Sequence, residues 1–223
     1  MGKRSNFERR EADFYPTPRP AVVPLIPYMR DIRTFAEPCA GDGDLVRHLE
    51  SFGLRCVYAG DIRAGQDALA VNTYGPADAI ITNPPYTRDV MHRLIAHFQS
   101  IAPTWLLLPH DWSANKGSAS YLRCCSDIVP IGRVKWIEGS EHSGGYENSA
   151  WYRFDARHTV GPVFHGRDQR EMIPAHRKAC EQCGKAYAPH RSSSRFCSGA
   201  CRTRACRERR SVTVSVTPSL LVP

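Results

Sequence analysis

No stretch of this 223-residue chain approaches the roughly eighteen consecutive apolar residues needed to cross a bilayer. The N-terminus, Met1-Gly2-Lys3-Arg4-Ser5-Asn6, lacks the apolar segment of a secretory signal, so the expected location is the cytoplasm and no membrane partner is expected. In that compartment nine cysteines do not read as a disulfide framework. Five of them fall between Cys180 and Cys206, with the others scattered as Cys39, Cys56, Cys124 and Cys125, and such clustering points to metal. Net charge is missing from the first 160 residues, where 18 Lys/Arg face 18 Asp/Glu. From Gly161 onward 12 Lys/Arg face only 4 Asp/Glu, so the end of the chain carries the whole excess of +8. A neutral body with a basic end is the footprint of a module that meets phosphates, attached to a body with other work. At 42% hydrophobic residues the body has material for one sizeable core. Nothing in the sequence marks an oligomer, and a monomer is the expectation.

The most informative stretch is Thr82-Asn83-Pro84-Pro85-Tyr86, which follows the apolar run Ala79-Ile80-Ile81 and precedes a helical pattern beginning near Asp89. It reads as a strand ending in a rigid turn. Two successive prolines fix φ and remove two backbone donors, leaving the Asn83 amide and the Pro84 carbonyl to face a ligand. Both are acceptors for an exocyclic amine, and the Tyr86 ring suits the face of the planar base that bears it. Asn-Pro-Pro is also ordinary turn chemistry.

Two further stretches carry the same kind of meaning. Thr34-Phe35-Ala36 runs into Glu37-Pro38-Cys39-Ala40-Gly41-Asp42-Gly43-Asp44 and then into helical spacing at Leu45, Val46, Leu49 and Phe52, which is strand, glycine turn, helix. The loop has no Gly-Lys-Ser/Thr to hold phosphate and magnesium, so a nucleoside without phosphates is the ligand it suits. Arg55 to Ala59 reads as a second strand closing on Asp61, where a carboxylate binds ribose hydroxyls in nucleoside-binding α/β sheets. Asp67 stands where the next loop passes the base; either acid also reads as a surface group, Asp67 more readily than Asp61. Upstream, Asp13-Phe14-Tyr15-Pro16-Thr17-Pro18 sets aromatics beside prolines as a stiff ledge, followed by a helix begun at Pro20 and interrupted at Pro24 and Pro27. Downstream, Trp105 to Leu108, Ile128 to Ile131, Val134 to Ile137 and Ala150 to Phe154 read as strands, with a mobile loop at His142 to Tyr146. His110 and Asp111 follow a strand end but read as loop polars. Strands alternating with helices predict an open, mostly parallel α/β sheet with ligands at the carboxyl ends of its strands.

Beyond Gly161 the chain lacks apolar residues for a core of its own. Cys180-x2-Cys183 and, 13 residues later, Cys197-x3-Cys201 fit a tetrahedral structural Zn2+ site whose formation and folding are one event. Cys206, His176 and His190 are weaker ligand candidates. Arg191, Arg195, Arg202, Arg204, Arg207, Arg209 and Arg210 surround the site and match phosphate contact. The expected organisation is a flexible basic arm over 1–12, an α/β domain over 13–160, a linker over 161–175, a basic four-cysteine zinc module over 176–211 and a disordered tail over 212–223.

Taken together and in this order, Asp13-Phe14-Tyr15-Pro16-Thr17-Pro18, Glu37-Pro38-Cys39-Ala40-Gly41-Asp42-Gly43 and Asn83-Pro84-Pro85-Tyr86 resemble three motifs of the S-adenosylmethionine-dependent DNA adenine-N6 methyltransferases, small phage-type enzymes above all. The resemblance covers roughly residues 12 to 155. It implies a seven-stranded Rossmann-like fold, DNA as partner and a bacterial or phage-infected cytoplasm. It implies S-adenosylmethionine held by Tyr15, Thr17, Glu37, Cys39, Gly41, Asp61, Asp67 and Asn83, and a flipped adenine held by Asn83, Pro84 and Tyr86. Cys39 stands where such loops often have Ser or Phe. Nothing between Tyr86 and Phe154 is long enough for a separate target-recognition domain, so a short target is expected. The Asn-Pro-Pro-Tyr turn also serves enzymes that methylate an RNA amine or a protein glutamine, and a zinc-containing nucleic-acid binder with a relic cofactor fold is the non-enzyme alternative.

Overall fold

The computed structural model describes residues 15–136, 147–166, 178–187 and 195–213, with residues 178, 186, 187 and 208–213 described by backbone only. The arm over 1–12, the loop at His142 to Tyr146, His176, His190, Arg191 and the tail from 214 lie outside the described residues. The chain divides into two units, Met1–Met172 and Ile173–Pro223.

The first unit is built on a seven-stranded sheet of order β2-β1-β3-β4-β6-β5-β7. Its strands are β1 (Thr34–Glu37), β2 (Arg55–Ala59), β3 (Ala79–Thr82), β4 (Thr104–Pro109), β5 (Cys125–Arg133), β6 (Asn148–Phe154) and β7 (Val163–Phe164). Pairings are parallel from β2 through β4 and again between β5 and β7; β6 alone runs antiparallel to its neighbours. The fold is therefore the expected mostly parallel α/β sheet. Every residue of β3 is buried, as befits a strand covered on both faces. On one face α1 (Arg19–Val22) and α2 (Asp44–Ser51) pack Ala21, Leu45 and Leu49 against Phe35, Ile81 and Trp151. On the other, α3 (Arg88–Ile101) lays Met91, Leu94, Ile95 and Phe98, one face at helical spacing, against Ile80, Leu106 and Tyr152. A short α4 (Ala119–Leu122) precedes β5.

Two expectations need correction. Of the strands expected at Ile128 to Ile131 and Val134 to Ile137, the second does not form over 134–136, and Ile137 lies outside the described residues. One strand runs from Cys125 to Arg133, with a register shift between Cys125 and Asp127 and another directly after Pro130, whose missing N–H cannot join a regular ladder. The expected linker over 161–175 gives Val163 and Phe164 to the sheet as β7, so Phe154 does not end it. The interruption expected at Pro24 and Pro27 is there: α1 gives way to a 3-10 helix over Val23–Tyr28.

In the second unit β8 (Lys178–Ala179) and β9 (Ala186–Tyr187) form a hairpin, and α5 (Gly199–Thr213) follows. The helix reaches residue 213 and so runs into the stretch expected to be disordered from 212.

Candidate active site and cysteine cluster

The strand order reverses about β1, with β2 on one side and β3 on the other, and in open α/β sheets a crevice opens at such a point outside the carboxyl ends of the strands. A cavity of about 450 Å³ lies there. Tyr15, Thr17, Glu37, Cys39, Gly41, Asp61, Asp67 and Asn83 all line it; Pro84 and Tyr86 do not.

Glu37 closes β1 and is 1% exposed. Its Oε1 accepts from Thr82 Oγ1 at 2.5 Å, while its Oε2 is buried without a partner among the described residues. Burial pushes this carboxyl up to about 8, against the pull of the Thr82 hydroxyl and the Cys39 and Asn83 amides. An unpaired buried carboxylate oxygen asks for a donor. Cys39, also pushed up to about 12 by burial and then by Glu37, stays a thiol at neutral pH and is no nucleophile.

Gly41 at φ 55° and Gly43 at φ 80° let the loop turn tightly, and the Gly41 amide donates to Asp61 Oδ2 at 2.8 Å. Asp61 Oδ1 accepts from the Arg63 backbone and Nε at 2.9 and 3.1 Å. Partial burial raises the Asp61 carboxyl, but these donors outweigh it and hold the group below its ordinary range. Asp61 therefore fastens the glycine loop while keeping lone pairs for a ligand hydroxyl. Asp67 caps the turn after it by accepting from Leu69 N at 2.9 Å.

Asn83 follows β3 and is fixed from both ends. Its Nδ2 donates to Thr17 Oγ1 at 3.2 Å and to the Tyr15 carbonyl at 3.4 Å, and its Oδ1 accepts from the Tyr86 hydroxyl at 2.9 Å. The N-terminal ledge and the Asn-Pro-Pro-Tyr turn are thus one assembly. The sequence reading missed Ile62, Arg63, Leu69, Val90, Arg93 and Leu94 as lining residues. Ile62 carried a visible signal, an apolar residue directly after Asp61, and it is 62% exposed. His110 and Asp111 lie in a 3-10 turn outside the cavity wall.

Asp42, Asp44, Asp61 and Asp67, against Arg63 and Arg93, with the protonated Glu37 beside them, make the wall suited to a ligand with cationic groups and no phosphate. S-adenosylmethionine fits that donor set in kind. Its amine would meet Glu37, its ribose Asp61 and its adenine the apolar side at Leu69, Val90 and Leu94.

In the second unit the sulfurs of Cys180, Cys183, Cys197 and Cys201 all lie within 4.8 Å of one another. Cys183 to Cys197 is 3.7 Å and Cys197 to Cys201 is 3.6 Å, close to the roughly 3.8 Å edge of a tetrahedral zinc–thiolate site. The first pair sits on a knuckle in which the Cys180 amide donates to the Lys185 carbonyl and the Gly184 amide to the Cys180 carbonyl. The Cys197 amide donates to Cys180 Sγ at 3.3 Å. The four thiols thus fit a Zn2+ ion in number and spacing. Arg195 is paired with Glu181.

No protein-family model matches the chain, and no curated protein matches it. Solved structures do. A protein of Pyrococcus horikoshii assigned as an RNA methyltransferase aligns with 65% of this chain and 87% of its own, at 14% identity and a TM-score of 0.49. The 23S rRNA methyltransferase ErmE aligns over 66% and 72%, at 14% identity and 0.42. A chain of a type I R-M system aligns over 95% and 54%, at 12% and 0.45. Likenesses this low assign no role to any residue.

Proposed function

We propose that this chain transfers a methyl group from S-adenosylmethionine to the N6 amine of adenine in DNA, with zinc as a structural ion in its C-terminal unit. The observation that carries the reading is the pairing of two strand ends. Glu37, with a buried unpaired oxygen, and Asn83, fixed by Tyr15, Thr17 and Tyr86, end the adjacent strands β1 and β3 and face one cavity.

S-adenosylmethionine supplies a methyl group on a positively charged sulfur. The chain supplies position. An adenine amine is a poor nucleophile because its lone pair is delocalised into the ring. Asn83 Oδ1, through the lone pair that the Tyr86 hydroxyl leaves, and the Pro84 carbonyl would accept its two N–H bonds and turn that lone pair out of the ring plane. The ties from Tyr15 and Thr17 hold the Asn83 carbonyl in its orientation, so little reorganisation is needed at the moment of reaction. The half-buried Tyr86 ring would replace part of the stacking that a flipped base gives up, a cost of a few kcal/mol.

The test is transfer of labelled methyl to adenine-containing DNA, with the product nucleoside identified and Asn83→Ala run beside the wild type. N6-methyladenine is expected, with Asn83→Ala slower by on the order of 100-fold. Cofactor binding without labelled DNA would move the substrate to an RNA amine or a protein glutamine. Absence of saturable cofactor binding would leave a nucleic-acid-binding protein.

A further inference from the structure

The second unit ends in a helix that has almost nothing to bury. Of the residues in α5 whose side chains are described, only Cys201 and Ala205 are half-buried, one turn apart on a single line; Arg202, Thr203, Arg204, Cys206 and Arg207 are exposed. The line through Cys201 fastens the helix to the cysteine cluster. At about 100° per residue, Arg202 and Arg204 then stand about 80° to either side of that line, on opposite flanks, and Arg207 stands near the outward ridge. No large apolar side chain accompanies them among the described residues, so the helix offers nothing to a protein groove or a lipid core. It matches a polyanion, and one with charge on two sides.

A single strand offers one line of phosphates. The major groove of B-form DNA, about 12 Å wide, admits a helix between two such lines, whereas that of A-form RNA is too deep and narrow for side chains to read. We propose that α5 lies in the major groove of duplex DNA, with Arg202 and Arg204 on the phosphates of opposite strands and Arg207 toward the groove floor. The inference rests on the reading above for nucleic acid as substrate and deepens it by naming the strand state.

The experiment uses the full chain with zinc bound. Binding to a 20-base-pair DNA duplex, to the same sequence as duplex RNA and to single-stranded DNA is followed by fluorescence anisotropy across a salt series, for the wild type and for Arg202→Gln/Arg204→Gln/Arg207→Gln. Equal zinc content shows that the variant is folded. Duplex DNA should bind at least about tenfold tighter than either competitor. The variant should lose on the order of 100-fold in duplex affinity and about two in the slope of log K against log salt, about 0.9 for each of the two phosphate contacts. Guanine N7, which faces the major groove, should be protected from dimethyl sulfate by the wild type alone. Equal affinity for duplex RNA or single-stranded DNA, an unchanged slope in the variant, or unprotected guanines would each overturn the inference. Methyl transfer measured on the same samples separates the two readings. Groove binding without transfer defeats the proposed reaction only, and transfer with an unchanged slope defeats only the groove assignment.

Discussion

Glu37 is a carboxyl group buried in the wall of the cavity, and the consequence is a proton. Burial lifts it from 4.5 to about 8, so at neutral pH it is mostly protonated, and a ligand amine arriving at Oε2 must displace that proton. S-adenosylmethionine should therefore bind more tightly as pH rises toward 8, by up to tenfold per unit, and release up to one proton per molecule bound at pH 7. Titration calorimetry in buffers of different ionisation enthalpy reads that proton directly; Glu37→Gln should abolish both effects and weaken binding. The sign for stability is the opposite. The folded state holds its proton more tightly than the unfolded one, so the stabilisation is complete below 4.5 and is lost as pH rises through 8. The ligand-free melting temperature should fall from pH 5 to 8.5, reflecting a few kcal/mol, and bound ligand should flatten the fall.

At the scale of elements, the segment between β2 and β3 contributes no strand, although Asp67, Ala68 and Leu69 from it line the cavity. Two side chains brace it instead. The buried Tyr74 hydroxyl donates to the Ala68 carbonyl at 3.2 Å, and His97 Nε2 on α3 lies 2.8 Å from the Val71 carbonyl. Tyr74→Phe keeps the ring against Tyr58 and Phe98 but deprives a carbonyl of its donor, at a cost of about 1–3 kcal/mol. The expected result is a KM for S-adenosylmethionine raised roughly tenfold with kcat within about twofold; equal losses in both would refute a role confined to the cofactor wall.

These braces were not legible in the sequence, because they end on backbone carbonyls that no pattern of side chains announces. The strand ends at Glu37 and Asn83 were legible, since each closes a short apolar run with a turn that only special residues can make. Gly132 and Arg133, which separate two short apolar runs in the sequence, belong to one strand that ends at Arg133, and β7 was too short to stand out in a stretch with no periodicity. The four cysteines were legible by spacing alone, whereas the pairing of Arg195 with Glu181 needed the fold to bring together residues 14 apart in sequence.

For the whole molecule, two units mean two separable stabilities. The first has cores on both faces of its sheet, while the second, among the described residues, has four clustered thiols and little else buried. Chelation should unfold the C-terminal unit and abolish its zinc and duplex affinity, while near-UV circular dichroism of the buried tryptophans and S-adenosylmethionine binding persist. Loss of cofactor binding together with zinc would contradict that independence.

The place of β6 sets an order of events during synthesis. It lies between β4 and β5 although it is made after both, so a chain that ends before it leaves β5 nothing to join it to β4. Trp151 within it donates from Nε1 to the Ala21 carbonyl at 2.8 Å, anchoring the segment that carries Tyr15 and Thr17 to the cavity lip. A nascent chain emerging from the ribosome thus has its cofactor motifs in hand some seventy residues before it can close the pocket around them. Ligand affinity should arrive in one late step, when residue 154 has cleared the exit tunnel, and arrested chains of graded length would show it.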